Sequence, residues 1–314
     1  MQSEKSSRAF WRDMRRQKNL HLMVLPALIL LIVFNFAPLL GLQIAFKDFK
    51  FNMGIWHSPW VGLKHFQAIF NDVNIGNVLR NTLMVSFLKT FLLFPLPVAL
   101  AVFLNECRGE GFKRVVQTVS YFPYFVSWPV VCLLAMQWMS TSGGWINDLL
   151  VRLGILDAPY FFIGDPNAFW PISVMLEIWK TTGYASIIYL SAITAIDQGV
   201  IEASVIDGAG RLTRIFHIVL PTIAPTVMVM MIMNIGNFLG GGLYGSNFQI
   251  SYNLSNTLNL TTAEILDTYV QKIGIEKSRF SYATAISLLN SLVAGVLLVS
   301  ANSLSRATTG ESLF

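Results

Sequence analysis

Charge is scarce in this sequence: Asp, Glu, Lys and Arg make up 12% of 314 residues, apolar types make up 54%, and mean hydropathy is +0.56. That balance excludes an ordinary water-soluble domain, in which about a quarter of residues are charged. Cysteine is nearly absent; Cys107 and Cys132 cannot build a disulfide framework and read as two free thiols. His21, His57, His65 and His217 are scattered without the H-E-x-x-H spacing of a metal site. No G-x-S-x-G nucleophile elbow occurs either, which disfavours a membrane enzyme. No G-x-x-x-x-G-K-[ST] loop is present, nor any Gly-Lys pair, so the chain is not expected to bind and hydrolyse ATP itself. The first apolar run is expected to stay as a transmembrane helix and not to be cleaved as a leader. It follows a basic stretch of about twenty residues, is long enough to cross a bilayer and lacks a small-residue cleavage site.

What the chain does have is apolar length. A helix needs roughly 20 mostly apolar residues to cross the hydrocarbon core, where only an internally hydrogen-bonded backbone survives. Six runs qualify: Leu22 to Phe46, Thr82 to Leu104, Val119 to Met139, Trp170 to Ile193, Pro221 to Leu243 and Tyr282 to Leu304. The expected fold is an all-α, polytopic membrane protein with six transmembrane helices. The net charge of +5 is placed beside these runs, where anionic membrane lipid accounts for it, and nucleic acid is not an expected partner. Lys5, Arg8, Arg12, Arg15, Arg16 and Lys18 precede the first run, and Arg108, Lys113 and Arg114 follow the second. The positive-inside rule then puts both termini, Arg211, Arg214 and Arg306 in the cytoplasm. The three outer connections, Lys47 to Arg80, Ser140 to Phe169 and Tyr244 to Ser281, are rich in Trp, Phe, Asn and Gly, and suit interfacial helices or lids.

The most informative stretch lies between the fourth and fifth runs, Ile201 to Val227: IEASVIDGAGRLTRIFHIVLPTIAPTV. Glu202 to Ile206 suit a short helix, Asp207 and Gly208 break it, Ala209 to Val219 suit a second, and Pro221 stops that one. Gly208 fits a reversal that needs positive φ, and a side chain there would obstruct a docking protein. Ile206, Ala209, Ile215, Phe216 and Ile218 make an apolar surface that something must cover.

This stretch resembles the EAA loop of ABC importer permeases, whose pattern is E-A-A, three residues, D-G-A, then an apolar segment ending L-P. Glu202, Ala203, Asp207, Gly208, Ala209, Phe216, Leu220, Pro221 and Pro225 match, and Ser204 departs where Ala is usual. Two further stretches extend the likeness over nearly the whole chain. Trp60 to Phe70 followed by Arg80-Asn81-Thr82-Leu83 is similar to elements before the second span in carbohydrate-uptake permeases. Trp179-Lys180-Thr181-Thr182-Gly183-Tyr184 and Leu266-Asp267-Thr268-Tyr269-Val270 are similar to elements of the branch that handles oligosaccharides and polysaccharides.

The resemblance implies the permease subunit of a type I bacterial ABC importer in the cytoplasmic membrane, moving an oligosaccharide by alternating access. It implies a second homologous permease, two ATPase subunits that use ATP and Mg, and an extracytoplasmic solute-binding protein. No cofactor is expected on this chain. The implied division is a basic cytoplasmic arm over 1–21, a first transmembrane helix with external loop over 22–76, the importer transmembrane domain over 77–305 and a cytoplasmic tail over 306–314. Its loop would seat in a groove of the ATPase through Glu202, Asp207, Gly208 and Phe216.

Within the spans, Lys89, Glu177 and Lys180 each cost about 2.5 to 3.5 kcal/mol to insert and need an explanation. Glu177 and Lys180 stand three apart on one helical face and either pair with each other or leave Glu177 facing the path. Lys89 is expected to meet a carbonyl or a partner subunit. Sugars present an apolar face and a polar edge, so aromatic plates and amides suit them. Trp179, Tyr184 and Tyr189, Asn234 and Asn237, and Tyr124 and Trp128 are the candidates, with Trp138 read as an interfacial belt residue. Glycines 240–242 either let helices approach or end the fifth span, and Pro95, Pro97, Pro123 and Pro129 suggest kinks. Two rival functions follow from the same residues: an ion-driven secondary transporter, and an ABC permease for a solute that is not a sugar.

Overall fold

A computed structural model describes residues 17–107 and 109–309, so the basic residues before Gln17, Arg108 and the last five residues lie outside it. The described chain is helical, with one isolated antiparallel bridge, Lys47 to Trp60. Four helices are long and apolar enough to cross a membrane: Lys18–Phe46, Ile75–Glu106, Arg211–Gly236 and Phe280–Ala307. Two bent pairs bring the number to six, Glu110–Phe125 with Trp128–Trp138 and Pro166–Thr194 with Gln198–Ile206. The chain is thus a multi-pass membrane protein, and these are its first to sixth spans in order, the bent pairs being the third and the fourth.

Proline decides where the spans depart from the sequence reading. The third span is not one helix over Val119 to Met139. Helix Glu110–Tyr121 runs into a 3-10 turn, Phe122–Phe125, and turns by 103° into Trp128–Trp138. Pro123 and Pro129 lack N–H groups, and Val126 and Ser127 take up extended backbone before the second helix. Pro221, by contrast, does not stop a helix. Arg211 to Gly236 is continuous because residues Ile215–Val219 form a π turn in which the Leu220 N–H reaches the Ile215 carbonyl. The widened turn makes room for the ring and absorbs the missing donor.

Helices in lipid gain little from burying apolar surface against one another, so close packing and polar contacts must hold the bundle. Ala101, Tyr189, Ile193, Val219 and Ile223 join the second, fourth and fifth spans near helix Gln198–Ile206. Val85, Cys132, Ala135, Leu176, Ile250 and Leu254 join the second, third and fourth spans to the segment after the fifth. The most intimate crossing is at Gly183, where an added Cβ would strike the backbone carbonyl and side chain of Ser120. Backbone cannot yield as a flexible side chain can. Gly183→Ala is therefore expected to lower stability by about 1 to 3 kcal/mol, read as a lower unfolding midpoint in lipid nanodiscs. An unchanged midpoint would mean that the two helices do not cross this closely. The first span is the exception to the packing, since none of its most apolar window is buried within the chain.

Candidate functional site

The loop between the fourth and fifth spans is built by two caps. Asp197 accepts the Gly199 N–H at 2.9 Å and starts helix Gln198–Ile206, which leaves the fourth span at 72°. At the other end Gly208 takes φ +81°, its N–H donates to Val205 at 3.0 Å, and the Ala209 N–H donates back to Ser204 at 2.9 Å. These two bonds are the paired closure of a Schellman turn, which needs a left-handed residue where Gly208 sits. Ser204, the one departure from the motif, is buried and donates its hydroxyl to the Ile201 carbonyl at 2.6 Å. Glu202, Ala203, Asp207 and Gly208 are exposed and Ala209 is half-buried. Ile206 is 85% exposed and Phe216 61%. Of the apolar surface read from the sequence, these two stand fully open, while Ile215 and Ile218 are half-buried. Leu220 is half-buried and Pro221 exposed, both in the continuous helix that follows.

A second cluster lies near the middle of the spans. Lys89 and Glu177 pair at 2.7 Å, each about 2% exposed. Lys89 also donates to the Ser246 hydroxyl at 2.9 Å, and that hydroxyl donates to Glu177. Glu177 therefore does not pair with Lys180, and Lys89 meets neither a carbonyl nor a free face. The two charges find each other across spans because an opposite charge offsets the loss of water better than a neutral dipole does. Beside them runs a cavity of about 30 Å³ lined by Thr90, Thr181, Tyr189, Met230, Asn234 and Tyr244, among others. That space admits about two water molecules and no sugar ring.

Lys180 has another task. Its ammonium donates to the carbonyls of Pro123, Tyr124 and Val126 at 3.3, 2.6 and 2.5 Å. The Pro123 carbonyl also accepts the Val126 N–H at 3.2 Å, while the Tyr124 and Val126 carbonyls lie at the break in the third span, where within lipid they must be satisfied by protein. The same ammonium lies 5.3 Å from the ring centroids of Tyr124 and Trp128. Tyr124 and Tyr184 stack at 3.8 Å with 3° between planes, and Tyr244 meets Tyr124 edge-on at 6.1 Å. The W-K-T-T-G-Y stretch is thus a docking strip for the broken span: Lys180 holds its carbonyls, Gly183 admits its backbone and Tyr184 receives its ring.

The candidate path residues separate into two sets. Glu177 and Asn234 line the small cavity, Tyr124 reaches it through Tyr244, and Tyr184 stacks on Tyr124. Trp179 faces away, 42% exposed on a different groove and edge-on to Trp138. Asn237 stands one turn beyond Asn234, which is half-buried on the cavity. The helix ends at Gly236, and Asn237 is its exposed cap, followed by Gly241 and Gly242 at φ +98° and +76°.

Sequence reasoning missed the polar stripe of the second span. Asn81 donates to the carbonyls of Thr261 and Glu264 at 2.9 and 3.0 Å, and Thr82 accepts the Leu266 N–H at 2.8 Å. Ser86 accepts from Asn247 at 2.9 Å. Two separate stretches, Arg80-Asn81-Thr82-Leu83 and Leu266-Asp267-Thr268-Tyr269-Val270, are one joint, with Tyr269 continuing to Asp72 at 2.5 Å. Tyr282 also donates to Asp72, at 2.7 Å. Burial alone would raise the Asp72 carboxyl, but the two phenols and the Asn74 amide hold it below its ordinary value. The amide and hydroxyl spacing 77, 81, 82, 86 was the readable signal, since polar groups in an apolar span require partners.

Comparison with known proteins places this geometry. Residues 93–310 match the family model described as binding-protein-dependent transport system inner membrane component. The chain is 39% identical to Protein LplB of Bacillus subtilis (strain 168), over 96% of this chain and 92% of that one. It is also 39% identical to the polygalacturonan/rhamnogalacturonan transport system permease protein YteP of the same organism, over 95% and 91%. A crystal structure of a bacterial alginate ABC transporter in complex with an alginate pentasaccharide-bound periplasmic protein contains a similar chain. There the TM-score is 0.87 at 33% identity, covering 96% of this chain and 99% of the other.

Proposed function

Because this chain belongs to the binding-protein-dependent transport system inner membrane component family, and is a permease of that type and not an ATPase, we propose that it carries an oligosaccharide through the cytoplasmic membrane. Uronate-containing chains are the first cargo to test, because polygalacturonan and alginate, named for its relatives, are polymers of uronic acids. Family membership sets aside the ion-driven secondary transporter weighed from the sequence.

The observation that carries the reading is the Schellman-closed knuckle with Ile206 and Phe216 exposed beside Asp207 and Gly208. An apolar, conformationally fixed projection outside the spans is a docking element. Its partner is an ATPase subunit, one for this chain and one for a second, similar permease, and ATP and Mg act there. Glu202, Ala203, Asp207, Gly208, Ala209, Phe216, Leu220 and Pro221 form the joint. Closure of the ATPases draws the knuckles together and rotates the spans between inward-open and outward-open states.

The second permease supplies what this chain lacks. A 30 Å³ cavity passes no sugar, so the path lies between subunits, with Glu177, Asn234, Tyr124 and Tyr184 on this side, and Trp179 and Asn237 further from it. The unburied first span is a surface for that subunit or for lipid. We read the knuckle's end as cytoplasmic, because Lys18, Lys113, Arg114, Arg211, Arg214 and Arg306 stand at span ends and in short connections on that side, whereas the outer Lys and Arg are spread over longer loops. Cargo arrives at the opposite face from a solute-binding protein. The test is affinity purification of this chain from its native membrane. Co-purification of a second permease and an ATPase supports the proposal, and a homogeneous chain with no ATPase contradicts it.

A further inference from the structure

We infer that Lys89, Glu177 and Ser246 form a latch that positions the glycine-hinged segment after the fifth span across the middle of the bundle, and that this latch must open for cargo to pass. The passage of cargo rests on the import reading above; the latch itself rests on geometry alone.

The fifth span stops at Gly236, and the chain does not continue to the end of the bundle as helix. It turns through Gly241, Gly242 and Gly245, all at positive φ, and reaches Glu177, near the middle of the 29-residue fourth span. Ser246 is the point of contact: fully buried, it accepts from Lys89 and donates to Glu177 at once. The next residue, Asn247, adds a neutral tie to Ser86 and to the Leu239 carbonyl. A serine hydroxyl has one donor and acceptor lone pairs, so a single residue closes a ring with both charges.

Two further observations mark this arrangement as more than a packed ion pair. Three buried polar atoms without a partner, Thr90 Oγ1, Asn234 Oδ1 and the Tyr244 hydroxyl, belong to residues lining the cavity beneath the latch. Buried polar groups are ordinarily satisfied, by water where a cavity admits it, so this wall is suited to a polar occupant. The course of the segment is also set by glycine, because Gly241, Gly242 and Gly245 all stand at positive φ and a Cβ at Gly241 or Gly242 would strike Asn247 or Asn234. Lys89 and Glu177 are then positioning residues that act through Ser246 on the closing segment.

The test reads water access to Thr181, which is buried, lines the cavity and lies one helical turn from Glu177. Thr181→Cys is placed in a chain with Cys107→Ser and Cys132→Ala, assembled with its partners in unsealed membrane fragments. Labelling by a membrane-impermeant maleimide is followed without nucleotide or solute. Glu177→Gln is expected to raise the labelling rate about tenfold or more, and the swapped pair Lys89→Glu/Glu177→Lys to return it to within about threefold of the parent. Ser246→Ala keeps both charges and should raise the rate at least about threefold; it decides alone if Glu177→Gln does not accumulate. Labelling at the parent's rate in Ser246→Ala, and in Glu177→Gln where it accumulates, overturns the latch. Because no cargo or ATP is used, a chain that failed to import would leave this result standing, and the reverse failure would leave import standing without the latch.

Discussion

Gly208→Val is expected to leave the chain inserted and folded while reducing ATP-driven import by about a hundredfold or more, equivalent to about 2.8 kcal/mol of lost coupling. Gly208 holds φ +81°, a conformation that costs an L-residue roughly 1 to 2 kcal/mol and is worst for a β-branched one. No heavy atom lies within 4 Å of a Cβ built there, so nothing inside the bundle is displaced and the spans have no reason to unfold. The damage is confined to the knuckle. Its two closing bonds, to Val205 and Ser204, reorganise, and the new side chain projects into the face offered to the ATPase. Gly210→Ala is the matched control, since Gly210 has an ordinary φ of −67° and open space around it. Uptake and recovery of the ATPase on the purified permease should fall together in Gly208→Val and stay near the parent in Gly210→Ala. Normal import by Gly208→Val would show that this turn does not carry the coupling.

The buried pair leads to an effect of similar size, but on stability. Removing one member leaves the other charged and unpaired at membrane depth, a loss of about 3 to 5 kcal/mol in comparable buried pairs. Lys89→Met and Glu177→Leu should each lower the unfolding midpoint in nanodiscs sharply. The double variant Lys89→Met/Glu177→Leu should recover most of the loss, because it also removes both desolvation penalties, which the ion pair only offsets. Ser246 would then be left without either partner, so the double variant is expected to be stable yet defective in transport. Additive losses in the double variant would show that the two residues do not share one interaction.

How far the sequence reveals all this depends on the range of the interaction concerned. Apolar runs report a local property, and all six are spans, although the second extends from Ile75 to Glu106, well beyond the Thr82 to Leu104 expected. The knuckle was legible because its turn is local: Asp-Gly after a short helix predicts a left-handed glycine, and Gly208 has one. Proline was legible as a kink at Pro123 and Pro129 and misread as a stop at Pro221, because the size of its effect depends on neighbours. Pro123 and Pro129 break the third span outright, since Lys180 from another span is there to donate to the freed carbonyls. Pro221 breaks nothing, since a π turn accommodates it.

Charge partners within the spans were the least visible, because pairing across helices leaves no spacing in one sequence. Glu177 and Lys180 stand three apart and suggest each other, yet each turns to a residue more than fifty positions away. Ser246 after a run of glycines looks like an ordinary loop, and only the reach of that loop between spans makes it a partner for both charges. Asn237 was legible as a polar group one turn from Asn234, but its exposure as the cap of the helix depends on where that helix stops, at Gly236.

The central claim, that this permease imports an oligosaccharide at the expense of ATP bound elsewhere, is tested most directly by solute uptake. The chain, its second permease, the ATPases and the binding protein are reconstituted in vesicles and given a panel of labelled neutral and uronate oligosaccharides. The expected result is uptake of one glycan class that requires both ATP and the binding protein and is lost in Gly208→Val. Accumulation driven by an ion gradient with no ATPase present, or ATP-dependent uptake of a solute that is not a saccharide, would contradict it.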